Sequence, residues 1–377
     1  MSFKIQYILI FGILLLFLSC EEEKESINKE ARKIEKERKS EKGIIRGSST
    51  SKYTGKAGQL VVVAENTVID TIIEQILDTT FGEQIRPYYP VVPKFEIAYI
   101  SPDRFKKSHQ RLRNVLRFTL TDEKLEGGSE LLIRLDYFAR GQIYTEIKAN
   151  TINDLHELLT LEADRLVNLY DEKEWKREYA RFKRKSNPTV KRRLKEDFGI
   201  SLEVPQQAVY EYNGRNFAKI MFPDRSRNME IMSPGGSGGE KANFIYSGLM
   251  IWEVPYKKES QFKPDYLLKV RDTLLKYNAK HEFPGVYMGT QDHPAVEPVY
   301  NYIKIGNVEG YEFKGMFKFT GRLEPSGGKF WSFHFIHPKR NKIIALSGYL
   351  DSPPTVSPML FLRQIQASLY SLKILED

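Results

Sequence analysis

Six histidines, one cysteine and a scatter of acids are the groups in this chain able to do acid–base, metal or nucleophilic chemistry. The histidines are His109, His156, His281, His293, His334 and His337, and no two of them show an HExxH or other ligand spacing, so no metal site is expected. Hydrolysis by paired carboxylates needs two acids in one cleft with separated pKa values. Asp272, Asp292 and Glu324 qualify by location alone. There is no Gly-x-Ser-x-Gly elbow. The glycine-rich Met232–Glu240 leads into a strand from Phe244 and lacks the Lys-Ser/Thr of a phosphate loop, so it reads as a flexible hairpin loop. No catalytic residue and no cofactor is assigned from these signals. In FWSFHFIH, Trp331, Phe333 and Phe335 alternate toward a core. That places His334 on the opposite, solvated sheet face and His337 at the strand end before Pro338; both are candidates to face a ligand.

The one cysteine carries the clearest chemistry. Lys4 precedes an apolar run from Tyr7 to Leu18, and Ser19-Cys20 follow. This resembles a bacterial lipoprotein signal, which implies that residues 1–19 are removed and that Cys20 is lipidated. A transmembrane helix needs about 20 apolar residues, more than this run supplies. A lipid on Cys20 would hold the protein to a membrane through buried methylene groups, each contributing about 0.8 kcal/mol. It would also leave no thiol downstream for a disulfide, a zinc site or a nucleophile. Residues 20–54 are charged and poor in apolar side chains, which reads as a disordered tether. Glu21-Glu22-Glu23 is similar to the acidic export signal of surface lipoproteins. The expected location is the outer membrane, at the cell surface or on the periplasmic face.

The body divides into a lobe over 55–170, a basic helical linker over 171–197 and a second lobe over 198–377. In the first lobe GQLVVVAE, KFEIAYI, VLRFTL, LLIRLDYF and QIYTEIKA read as strands. Helical stripes fall at Ile69–Leu77 and Leu155–Val167. The turn at Gly127-Gly128 suggests a hairpin between VLRFTL and LLIRLDYF. The second lobe repeats the rhythm, and Phe118-Thr119 and Gly127-Gly128 recur as Phe319-Thr320 and Gly327-Gly328. The expected fold class is α+β: two lobes, each an antiparallel sheet with helices on one face, related by an internal duplication. The second lobe also resembles, at fold level, the photosystem-subunit/nuclear-import-factor type of sandwich. The dispersed aromatic residues fit core positions of these strands.

The stretch Lys173–Lys195 intersperses Lys and Arg with Glu172, Glu174, Glu178 and Glu196, the pattern of a solvated helix with i,i+4 pairs. The formal net charge of +9 points to an anionic envelope component or a protein partner and, for an exported chain, away from nucleic acid. Several segments carry a family resemblance: GKAGQLVVV, RNVLRF, FGISLEVP, IYSGLMIWEVPY, VRDTLLKYN with FPGVYMGTQ, and SGYLDSPP with FLRQIQASLYSLK. Together they resemble a Bacteroidota lipoprotein family of unknown function, numbered 4837, of which this chain would be a divergent member. The family implies location and architecture and adds no chemistry. Arg113, Asn114, Arg271 and Asp272 sit in these segments and are the further candidates to face a ligand. The expectation is a lipid-anchored, non-enzymatic binding or envelope-maintenance protein; the alternative is an envelope hydrolase with its site between the lobes.

Overall fold

A computed structural model describes residues 44–375 except 213, 215, 224, 232–238, 280–282 and 322–325. Cys20, the apolar run, residues 20–43 of the expected tether, most of the 232–240 loop, His281 and Glu324 therefore lie outside the described residues. Among the described residues no helix is long and apolar enough to cross a membrane.

The first lobe is built on six strands: β1 (Ile44–Arg46), β2 (Gln59–Val63), β3 (Glu96–Ile100), β4 (Asn114–Leu120), β5 (Ser129–Leu135) and β6 (Ile143–Ala149). Their order is β1-β5-β6-β4-β2-β3. Strands β3, β2, β4 and β6 run parallel, and only β5 opposes its neighbour β6. The expected antiparallel sheet is thus corrected to a mixed, mainly parallel one. The β4–β5 hairpin is corrected too, because β6 lies between those strands. A strand buried on both faces needs no polar alternation, and Leu60 to Val63 are all buried. β1 lies inside the segment that composition assigns to the tether and pairs with β5, so residues 44–46 are strand rather than tether.

Helix α1 (Thr71–Thr80) starts at Asp70, whose carboxylate accepts the Ile73 N–H at 2.9 Å. Helix α2 (Ile152–Arg184) opens with a reciprocal capping box between Thr151 and Asp154. Both helices pack on one face of the sheet through Ile73, Leu77, Leu155, Leu159 and Leu166. The other face is closed by Phe105, Phe138 and Leu112 against Val61, Val115 and Tyr144.

The expected linker is not a separate solvated element. α2 is one helix of 33 residues that runs on past residue 170, and its basic part buries Glu174, Arg177, Glu178 and Phe182. It ends before Asn187, where the residue preceding Pro188 disfavours helix. Helix α3 (Pro188–Phe198) then starts with Asn187 as its cap and stops at Gly199, which is left-handed at φ +67°.

The second lobe carries nine strands in one antiparallel sheet: β8 (Val209–Tyr212), β9 (Phe217–Met221), β10 (Arg225–Ile231), β11 (Gly239–Pro255), β12 (Tyr287–Thr290), β13 (Val299–Ile305), β14 (Val308–Thr320), β15 (Gly327–His337) and β16 (Lys342–Asp351). A short pair, β7 (Ile200–Ser201) with β17 (Lys373–Ile374), stands apart. Helices cover both faces rather than one. α3 and α5 (Met359–Tyr370) pack against Trp331, Phe333 and Phe335, while α4 (Pro264–Asn278) packs against Trp252, Phe313 and Phe330. The α+β class and the two lobes stand. The duplication fails, because the sheets differ in strand order and direction.

Three contacts lock the lobes together. α2 packs on α5, with Trp175 edge-on to Tyr370 at 5.3 Å and Asp171 bound to Arg363 at 2.6 Å. Phe182 meets Phe222 of the second lobe. The loop after α1 inserts Tyr88 and Val92 into the second core, and the Tyr88 hydroxyl donates to the Phe330 carbonyl at 3.1 Å. Phe182→Ala should therefore cost about 3–5 kcal/mol, as a buried aromatic truncation does. Lys185→Ala, at an exposed residue just past the helix end, should stay within about 0.5 kcal/mol. Urea unfolding of the two variants checks this; equal effects would contradict the burial of the basic end of α2.

Candidate functional site

Between the lobes lies a cleft of about 940 Å³. Its first-lobe wall is Gly55–Ala57, the loop Pro90–Pro93, Glu96 and Arg113; its second-lobe wall is Ile245, Lys329 and residues 352–361. Clefts at such seams are where ligand sites commonly form.

The first wall is held by a buried ionic cluster. Glu174 of α2 is fully buried, and its Oε1 accepts from Asn114 Nδ2 at 2.7 Å and from Arg177 Nη1 at 2.5 Å. Arg113 Nε stands 3.0 Å from the same oxygen. Oε2 accepts the Gly58 N–H at 3.1 Å. Arg177 Nη2 also donates to the Arg113 carbonyl at 2.8 Å and to Asn114 Oδ1 at 3.0 Å. Both guanidinium groups lie near the Tyr53 ring, at 4.9 and 5.2 Å. Burial alone would raise the Glu174 carboxyl, but Arg177, Arg113 and Arg363 outweigh it and hold it below the usual range. Gly58 joins cluster and cleft: its φ of +72° favours glycine, and a Cβ there would come 3.1 Å from Met359 at the start of α5.

Two buried cations border the cleft. Arg113 is 5% exposed, and its Nη2 is buried without a hydrogen bond. Lys329 is 7% exposed and donates to the Tyr89 carbonyl at 3.3 Å. Burial pulls its pKa down, with the charge of Asp351 opposing. Among the described residues, the one carboxylate lining the cleft is Glu96, exposed and accepting from the Ser357 hydroxyl at 3.1 Å.

Of the residues singled out from sequence, Arg113 and Asn114 are brought together, with Asn114 serving as a strut of the cluster. The remaining four stand in the second lobe, outside the cleft lining. Arg271 is buried with its guanidinium 3.8 Å from the Phe330 ring centre, and its Nη1 donates to Thr290 Oγ1 at 2.8 Å. Asp272 accepts from the Thr290 N–H at 2.9 Å and the Arg271 guanidinium at 3.2 Å, an anchor between α4 and β12. His334 does face away from Trp331, but α4 covers that side, so the expected solvated histidine is buried against Trp252 and Phe313. His337 is buried too, its Nδ1 accepting the Lys339 N–H at 3.2 Å. Lys329 was not singled out: a lysine after Gly327-Gly328 carries no pattern, and only the fold places it in the cleft. Among the described residues no group of three His, Cys, Asp or Glu side chains could hold a metal.

His334 makes stability depend on acid. Burial, with Arg271 adding repulsion, pushes its pKa down from 6.5 to about 3. Between those values the unfolded chain binds a proton that the folded chain refuses, so this contribution is complete above pH 6.5 and is lost as pH falls. The slope from this one group is about 1.4 kcal/mol per pH unit. His334→Phe should flatten the decline in urea-derived stability between pH 6 and 4 relative to wild type; parallel curves would contradict the assignment.

No curated protein sequence matches the chain. Among solved structures it is similar to the Ran-binding protein Mog1p of Saccharomyces cerevisiae, at 9% identity over 47% of this chain and 91% of that one, with a TM-score of 0.29. It is also similar to LpqN of Mycobacterium tuberculosis, described as involved in cell envelope biogenesis, at 12% identity over 47% of this chain and 83% of that one, with a TM-score of 0.24. Such scores carry no argument. Residues 53–183 match a family described as Domain of unknown function (DUF8532), so the motifs GKAGQLVVV and RNVLRF fall there rather than in the family they resemble. From the break before Pro188 onward the motifs meet their expected match: residues 187–371 match the family described as Domain of unknown function (DUF4837).

Proposed function

We propose that this is a lipid-anchored envelope protein, held on the outer membrane through Cys20, that binds an envelope component in the interlobe cleft and does not transform it. The observation that carries the reading is the cleft itself, a roomy seam with Arg113 and Lys329 buried in its walls. Its chemistry suits holding better than cutting. Hydrolysis by paired carboxylates needs a second acid beside the first, whereas Glu96 stands alone in the lining among the described residues. The apolar run ending on Cys20 and the acidic triplet after it support the anchor and the location. The envelope hydrolase gains no specific support from the cleft.

Two measurements test this. Wild type should label with a fatty-acid probe and stay with membranes, while Cys20→Ala should leave the membrane fraction; an unlabelled wild type would refute the anchor. Protein purified from its own membranes should release, on denaturation, a small molecule that is recovered chemically unchanged after prolonged incubation with the protein. Turnover of that molecule, or an empty protein in every envelope extract tried, would overturn the binding reading.

A further inference from the structure

We propose that the interlobe cleft takes an anionic amphiphile, its phosphate or carboxylate head seated between Arg113, Lys329 and the first turn of α5. This rests on the cleft being the binding site proposed above, and it adds the chemistry of the ligand.

Charge balance carries the argument. The cluster behind the first wall buries two guanidinium groups, Arg113 and Arg177, against the single carboxylate of Glu174. Asn114 is neutral, and the Tyr53 ring offers only its π face. That leaves one positive charge in excess, and it falls on Arg113, the member that lines the cleft and whose Nη2 makes no hydrogen bond. Across the cleft Lys329 adds a second buried cation, with no carboxylate in ion-pair contact among the described residues and one long hydrogen bond to a carbonyl. Buried charges are ordinarily paired. An anion in the cleft would pair both.

The start of α5 points the same way. Met359–Phe361 form part of the wall, the helix has no side-chain cap, and its first turn holds no acidic residue. The Phe361 N–H turns back to the Pro358 carbonyl at 3.0 Å, and the dipole of this uncapped first turn still favours negative charge. The rest of the lining is mixed: Ser352, Thr355 and Ser357 are polar, while Val91, Ile245, Leu360 and the prolines at 90, 93, 353 and 354 offer apolar surface on which a hydrocarbon body can lie. Glu96 sits at the exposed rim, engaged by Ser357, with Lys56 on the same wall.

Titration calorimetry on the chain carrying Cys20→Ala, which dispenses with detergent, tests this below micelle-forming concentrations. The probes are octyl phosphate, inorganic phosphate, octyl glucoside and octyltrimethylammonium. Octyl phosphate should bind saturably and at least tenfold more tightly than the other three. Lys329→Gln should weaken octyl phosphate about tenfold with the thermal midpoint of the free protein retained, and Lys329→Arg should restore it. Octyl glucoside binding as tightly as octyl phosphate, with Lys329→Gln without effect, would overturn the anionic head and leave the binding cleft standing. Inorganic phosphate matching octyl phosphate would overturn the amphiphile in favour of a free phosphate. If no probe binds, the anionic-amphiphile assignment is overturned. Ala57→Trp, which fills the cleft, then separates the two claims: unchanged recovery of the envelope molecule with this variant would overturn the cleft as the binding site as well.

Discussion

Glu174 is the constraint on which the rest of the architecture turns. A single carboxylate with no access to solvent receives Asn114, Arg177 and the Gly58 N–H, with Arg113 at ion-pair distance. Removing one partner from such a buried pair costs about 3–5 kcal/mol, because the other is left uncompensated. Each partner belongs to a different piece of the fold. Gly58 leads into β2, Arg113 and Asn114 open β4, and Arg177 lies one turn further along α2. The carboxylate therefore pins the middle of a long helix to the ends of two parallel strands. It also fixes the 55–58 turn, which is at once a cluster ligand and a cleft wall.

With its middle fixed, α2 can serve two cores. Its N-terminal half fills the first lobe through Leu155, Leu159 and Leu166. Its C-terminal half offers Asp171, Trp175 and Phe182 to the second lobe. The loop carrying Tyr88 and Val92 reaches the same core from the other direction. The lobes are thus held at three places, and the cleft is the seam left beside them. A rigid seam whose walls come from both lobes can hold polar groups against a ligand without ordering them anew on binding.

Most elements were legible in the sequence, because apolar periodicity and capping residues act locally. The stripes at Ile69–Leu77 and Leu155–Val167 fall on helices that the structure keeps, opened by Asp70 and Thr151. Strand partners were not legible, since pairing is set by tertiary packing. The one available sign was LVVV in β2, an unbroken apolar run typical of a strand covered on both faces. The basic end of α2 read as solvated because its buried residues are charged. Glu174 and Arg177 satisfy one another and the backbone, and Glu178 pairs with Arg181, which no hydrophobic stripe announces. Trp175 and Phe182 are aromatic residues of this stretch that reach the second lobe. Arg113 and Asn114 were found through their segment rather than their chemistry, and His334 was placed on the correct sheet face but under a helix that the one-sided reading did not foresee.

The central claim is that Glu174 and Arg177 act as one buried unit holding α2 to the sheet. A double-mutant cycle with Glu174→Gln and Arg177→Met, followed by urea unfolding, tests it most directly. The account predicts that each single change is severe and that the double change costs less than their sum, with a coupling of about 2 kcal/mol or more. Additive losses would contradict it and would reduce the cluster to a set of independent hydrogen bonds.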